Sequence, residues 1–249
     1  MLSDITILIT SFLRPGYLLR CIDGIRENLP DCNIVIVDDS DVNFADYPVW
    51  DAILKGCQII YLPFDSGLSA KRNAGIKAIT TEYVLMGSDD FDFSTPEAYD
   101  GIVKMHDVLE MFPEIDVAGG RHSNVPYEGF LEVGDGYIRE HRLVLDKDEH
   151  LFYNVDLTCN YWLGRTAHIL PWDERMKIGG EHGDWFLDMK AAGRRTVWVP
   201  GVNINPLPEG LGQDKRYPEF RARARSLGHR IFKEKRKIQD YIGFDGDKS

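Results

Sequence analysis

The chain has 249 residues, 43% hydrophobic and 28% charged, the balance of an ordinary globular protein with enough length for one large α/β domain and a substantial core. Its formal net charge of −11 argues against a nucleic-acid-binding footprint and against adhesion to anionic membranes, but leaves a phosphate ligand open, because a few local cations or one metal override the mean field. No apolar run approaches the roughly 20 residues of a membrane span, the first residues lack the basic and apolar segments of a signal peptide, which predicts a cytoplasmic protein or the soluble part of something larger, and Cys21, Cys32, Cys57 and Cys159 form no C-x-x-C pair and suggest neither zinc nor a disulfide framework.

The first half alternates strands and helices. Ile5 to Thr10 is a compact apolar and β-branched run, read as a buried strand. After a loop over Ser11 to Gly16, apolar positions at 18, 19, 22 and 25 predict a helix from Tyr17 to Asn28. Asn33 to Val37 is a second strand that runs into Asp38-Asp39, and Gln58 to Leu62 is a third. Ser69 to Ile79 reads as a helix with Ser69 as its N-cap. Glu82 to Met86 is a fourth strand, followed by the acidic turn Ser88 to Asp92 and a helix from Pro96 to Met111. Such units imply a mostly parallel Rossmann-like sheet flanked by helices, with ligands beyond the carboxyl ends of the strands. Residues 117–160 hold short strand-like pieces, glycines and aromatics. A helix is expected over Glu181 to Ala192, a strand over Thr196 to Val199, and a charged helix over 214–236, with the last dozen residues frayed.

Four clusters carry chemistry. Asp89, Asp90 and Asp92 crowd one strand end, where carboxylates repel unless a cation or protons compensate; hard divalent cations suit carboxylate and phosphate oxygens. Taken alone, this turn reads equally well as a solvated cap of the next helix. Asp38-Asp39 is placed to accept from a ribose or a base, although an Asx turn is the simpler reading. Gly67 to Asn73 puts a glycine, a helix start, Lys71 and Arg72 together, a phosphate-binding combination, with Arg14 at the same sheet edge. Gly179-Gly180-Glu181-His182-Gly183-Asp184 permits a close backbone approach and sets carboxylates at a helix start.

In this order, the four clusters resemble the inverting GT-A-fold glycosyltransferases of family 2, near the β-1,4-N-acetylgalactosaminyltransferase and β-1,4-galactosyltransferase branch. The resemblance covers roughly residues 4–200. It implies a GT-A domain over 1–213, with a nucleotide-binding half (1–95) and an acceptor half (96–213), followed by a charged helical tail (214–249). Ile5 to Arg14 resembles the opening strand and nucleotide loop, implying donor contacts from Thr10, Ser11, Phe12 and Arg14. Val35 to Ser40 resembles the VDDxS segment, implying Asp38 and Asp39 at the uracil or ribose. Gly67 to Asn73 resembles the G-x-x-x-x-R-N helix start, placing Lys71 and Arg72 near the nucleotide. Tyr83 to Phe93 resembles the D-x-D strand end, and Gly179 to Phe186 the region of the catalytic base.

Three positions depart from that pattern. Ser88 occupies the first acidic position, which leaves Asp90 as the metal residue, with Asp92 and Asp89 as further contacts. His182 stands where an aspartate is usual, so Glu181 is the preferred base, then Asp184, then His182. Val202 to Pro206 has no histidine where many relatives carry a metal-binding one, so either the metal is held more weakly or a different group completes its shell. The implied reaction is Mn²⁺- or Mg²⁺-dependent transfer from a UDP-sugar to a carbohydrate or other hydroxyl acceptor, with inversion. Two other readings stay open: a sugar nucleotidyltransferase, disfavoured because the Ser11 to Gly16 loop is not glycine-rich and basic, and a nucleotide-sugar-binding module that has lost its chemistry. The region 117–121 is expected to shape donor choice and the aromatic stretch 151–162 the acceptor side, with core packing the simpler role for the latter.

Overall fold

The computed structural model describes residues 2–41, 50, 53–145 and 150–247. Strand β1 (Ile5–Ser11) is buried along its whole length and sits inside an eight-stranded sheet. Its neighbours are β2 (Asn33–Asp38) on one side and β4 (Tyr83–Ser88) on the other, both parallel to it, with β3 (Gln58–Tyr61) outside β2. Beyond β4 the sheet turns mixed: β9 (Trp162–Arg165) runs antiparallel to both β4 and β5 (Val117–His122), β10 (Thr196–Ile204) pairs parallel with β5, and β8 (Tyr153–Val155) closes the edge antiparallel to β10. This is the expected α/β architecture, with the parallel register concentrated in the first half.

The period of two along β1 sends Ile5, Ile7 and Ile9 to one core and Leu8 to the other. Helices α1 (Pro15–Asn28) and α3 (Pro96–Met111) cover the first face. On the second face lie α2 (Leu68–Ala78), α4 (Glu181–Ala191) and α5 (Tyr217–Arg236). There Trp162 of β9, Trp185 of α4 and Trp172 stack nearly parallel, with centroids 5.1 Å and 4.7 Å apart. Each such pair adds about 0.5–1.5 kcal/mol to its burial, and together they fix the height of α4 above the sheet. No helix among the described residues is long and apolar enough to cross a membrane.

Three local expectations are corrected. Ser69 does not cap its helix: the N-cap position is Gly67, and the Ser69 hydroxyl donates to the Met176 carbonyl at 2.6 Å, tying α2 to a turn more than a hundred residues later. The strand predicted over Thr196 to Val199 continues to Ile204, past an irregularity between Trp198 and Asn203. The last dozen residues are not frayed throughout: β11 (Asp240–Ile242) joins β6 (Gly129–Gly134) and β7 (Tyr137–Arg142) in a second, three-stranded sheet, and Tyr241 packs on Phe232 and donates to Glu140.

Helix α5 lies against the domain rather than extending from it. Gly179 and Gly180 have φ of 86° and 81°, and a Cβ on them would lie 2.6 Å from the Arg225 carbonyl oxygen and 2.7 Å from Phe232 Cβ. Both the left-handed backbone and the close approach of α5 therefore require glycine there.

Candidate active site

A cleft of about 510 Å³ opens beyond the carboxyl ends of β1, β2 and β4, within the range of small-ligand sites. Thr10, Phe12, Arg14, Asp39, Lys71, Arg72, Asp89, Asp90 and Glu181 all line it. Ser11 does not line it but hydrogen-bonds two residues that do, Asp89 and Lys71.

On the sheet-edge wall the charges are compensated. The Asp39 carboxylate accepts from Lys71 Nζ at 2.6 Å and from the Gly67 amide at 2.7 Å, and Lys71 Nζ also donates to the Ser11 carbonyl at 2.9 Å. Arg14 forks across the acidic turn, donating to Asp89 Oδ1 at 2.9 Å and Asp90 Oδ2 at 3.0 Å, while Ser11 Oγ donates to Asp89 Oδ2 at 3.0 Å. The Arg14 guanidinium lies between the rings of Tyr17 (4.4 Å) and Tyr217 (5.2 Å). Burial opposes its charge, but Asp89 and Asp90 outweigh burial and raise its pKa further. Burial also lifts the Asp89 carboxyl to about 7 against the pull of Arg14. At Asp90 burial is overcome by Arg14, a Ser88 hydrogen bond and His122, so its carboxyl stays below the usual range.

Elsewhere in the cleft charges stand without partners. Arg72 is 4% exposed, its guanidinium lies 5.3 Å from the Trp172 ring, and its Nε has no hydrogen-bond partner. Burial lowers its pKa, partly offset by Glu181. Glu181 is buried at the first position of α4 and lines the cleft, and its carboxylate has no hydrogen bond or ion pair to a described residue. His182 holds Asn160 Oδ1 at 2.8 Å through Nδ1; burial and Arg72 push its pKa down to about 3, so it is neutral at physiological pH. From α5, Tyr217, Phe220, Arg221 and Arg225 form the rim.

Besides Ser11, three predicted site residues do not line the cleft. Asp38 turns back on its own loop, accepting from the Ser40 amide (2.9 Å) and hydroxyl (3.1 Å), and burial lifts its carboxyl to about 6. Asp92 accepts from the Ser94 amide at 3.0 Å in an Asx turn leading to α3. Asp184 is held by Lys235 Nζ at 2.6 Å and Arg236 Nε at 2.7 Å, ion pairs that tie α5 to α4.

A divalent cation fits the turn. The Asp90 side chain is 29% exposed toward the cleft, and a cation bound beside phosphate oxygens takes only one or two protein carboxylates. Among the described residues, the one cluster of three ligand-type side chains within reach of each other is Asp4, His106 and Glu110. It lies at the start of β1, about 20 Å along the strand from the cleft, and its groups are already engaged, His106 with Asp4 and Glu110 with Tyr83.

Sequence reasoning missed His122, Tyr127, Asn160 and the α5 residues that line the cleft. The α5 residues carried a signal, since 217, 220, 221, 224 and 225 share one helix face.

Residues 6–108 match the family described as Glycosyl transferase family 2. Mouse β-1,4 N-acetylgalactosaminyltransferase 2 is 30% identical over 243 residues, covering 90% of this chain and 44% of that protein. Human β-1,4 N-acetylgalactosaminyltransferase 1 is 36% identical over 117 residues, 47% of this chain and 20% of that protein. The chain thus spans less than half the length of the curated relatives it matches. The crystal structure of S. aureus TarS superposes with a TM-score of 0.55 at 16% identity, over 82% of this chain and 36% of that one. At that identity the likeness concerns the fold alone.

Proposed function

We propose, on the premise that the chain carries a glycosyl transferase family 2 domain in a GT-A fold, that it transfers a sugar from a UDP-sugar to a hydroxyl of a glycan or similar acceptor, with inversion and with a divalent metal. The observation that carries this reading is one cleft holding a compensated acidic turn on one wall and the unpartnered carboxylate of Glu181 on the other.

Lys71, in the first turn of α2, and the Arg14 fork hold the loops that would receive a nucleotide diphosphate. Asp90, preorganised by Arg14 and Ser88, would hold Mn²⁺ or Mg²⁺. The bound metal would neutralise charge developing on the departing UDP. Glu181 takes the proton of the acceptor hydroxyl as that oxygen bonds the anomeric carbon and the bond to the UDP oxygen breaks. A single displacement inverts the anomeric centre. The names of the relatives make UDP-N-acetylgalactosamine the first donor to test.

Thermal unfolding with UDP-sugars, with and without Mn²⁺, followed by hydrolysis and transfer assays, tests the reading. Wild type should be stabilised and turn the donor over, and Asp90→Ala should lose the Mn²⁺-dependent part of both. Stabilisation without turnover in wild type would leave a non-catalytic nucleotide-sugar-binding module. Undiminished turnover in Asp90→Ala would remove the metal role from that residue.

A further inference from the structure

We infer that His122 supplies a nitrogen ligand, through Nε2, to the divalent cation at Asp90, and so biases the site toward Mn²⁺ over Mg²⁺. This rests on the metal reading above and adds to it a residue and a selectivity.

His122 is the last residue of β5 and is paired in register with Ile204 of β10. The chain just beyond Ile204 is laced to the acidic turn: the Asp92 amide donates to the Asn205 carbonyl at 2.9 Å, the Leu207 amide donates to the Asp90 carbonyl at 2.7 Å, and Phe91 bridges to Pro206. The turn and His122 are therefore mounted on one scaffold, although 32 residues separate Asp90 from His122 in sequence. The imidazole stacks on Phe91, centroids 5.3 Å apart at 29°, which holds the ring plane. His122 and Asp90 line the same cleft.

In that setting Nε2 is buried and has no hydrogen-bond partner. An orphaned ring nitrogen is costly to bury, and a ring nitrogen without a partner in the cleft that Asp90 also lines is available as a ligand. The donor set also has chemical direction. With Ser88 in place of a carboxylate, the turn offers less charge to a hard cation. Oxygen ligands suit Mg²⁺, whereas an imidazole adds little for Mg²⁺ and more for later divalent ions such as Mn²⁺ and Co²⁺.

The test is Mn²⁺ bound in the presence of UDP, followed by electron paramagnetic resonance with detection of ¹⁴N coupling. Wild type should show one histidine nitrogen on the ion. His122→Ala should lose that coupling and bind Mn²⁺ about 10-fold or more weakly, with Mg²⁺ affinity, measured by competition, changed by less than about 3-fold. His122→Gln, with a side chain closer in size, should match the alanine variant in coupling and affinity. Wild-type protein that binds Mn²⁺ through Asp90 without any ¹⁴N coupling overturns the assignment, whatever the variants' folding. Equal Mn²⁺ affinity in wild type and His122→Ala does the same. If neither wild type nor Asp90→Ala binds Mn²⁺ with UDP, the metal reading itself fails and takes this inference with it.

Discussion

On the wall built from the ends of β1, β2 and β4, Asp39 is paired with Lys71 and the Asp89–Asp90 turn with Arg14. Elsewhere in the cleft, Arg72 of α2 and Glu181 of α4 have no hydrogen-bonded or ion-paired partner among the described residues. The difference also runs along a single helix. Glu181 and Asp184 lie one turn apart at the start of α4, yet Asp184 is clamped by Lys235 and Arg236 while Glu181 is open. Buried pairs hold a shape, since removing one partner strands a charge. A buried carboxylate without a partner contributes nothing to holding the fold and is free to take a proton.

Glu181→Gln is the strongest way to break that contrast. Transfer should fall about 10²–10⁴-fold, the usual contribution of a general base, while UDP binding by calorimetry persists. Its melting temperature should stay near that of wild type, because no partner is lost. Full transfer by this variant would move the base to another group.

Asp184→Asn should show the converse. Breaking a buried pair costs about 3–5 kcal/mol, a fall in Tm of roughly 6–20 °C for a chain of this size. Protein that remains folded should still bind UDP. A loss of turnover with unchanged Tm would mean that Asp184 works in the reaction and not in the anchor.

His182 sharpens the comparison through pH. Its folded pKa of about 3 lies below the unfolded value of about 6.5. Between these values the unfolded chain binds more protons, so this group contributes stability above about pH 6.5 that is lost as pH falls toward 3. Asp38 and Asp89, raised to about 6 and about 7, act with the opposite sign. They are common to both proteins, so the difference between wild type and His182→Gln isolates the histidine. In denaturant titrations the variant should lack an acid-side slope of up to about 1.4 kcal/mol per pH unit. Parallel curves from pH 7 to pH 4 would show that His182 is not held neutral.

Asp92→Asn should do least. Asparagine keeps the oxygen that accepts from Ser94, so stability should change by less than about 0.5 kcal/mol and Mn²⁺ affinity should match wild type. A marked loss of Mn²⁺ would bring Asp92 into the metal shell.

The alternating strands and helices up to Met111 were legible because their signals are local: continuous apolar runs for strands buried on both faces, and a 3.6-residue stripe for α1. The glycines at 179 and 180 were legible for the same reason, as a turn before a helix. Ser69 misled because a serine at a helix start is a cap by local rules, whereas here the Met176 carbonyl claims its hydroxyl.

By itself, then, the sequence determined the parallel first half, the loops at its carboxyl edge, and the residue types that meet phosphate and metal there. Only the tertiary structure decided which carboxylates are free. Asp38 and Asp92 turn onto their own backbone, Asp184 is taken by cations about fifty residues later, and His122 reaches the cleft that Asp90 lines through the pairing of β5 with β10. The physical reason is that a carboxylate's role depends on what else is buried within a few ångströms of it, and in this fold those neighbours come from distant segments of the chain.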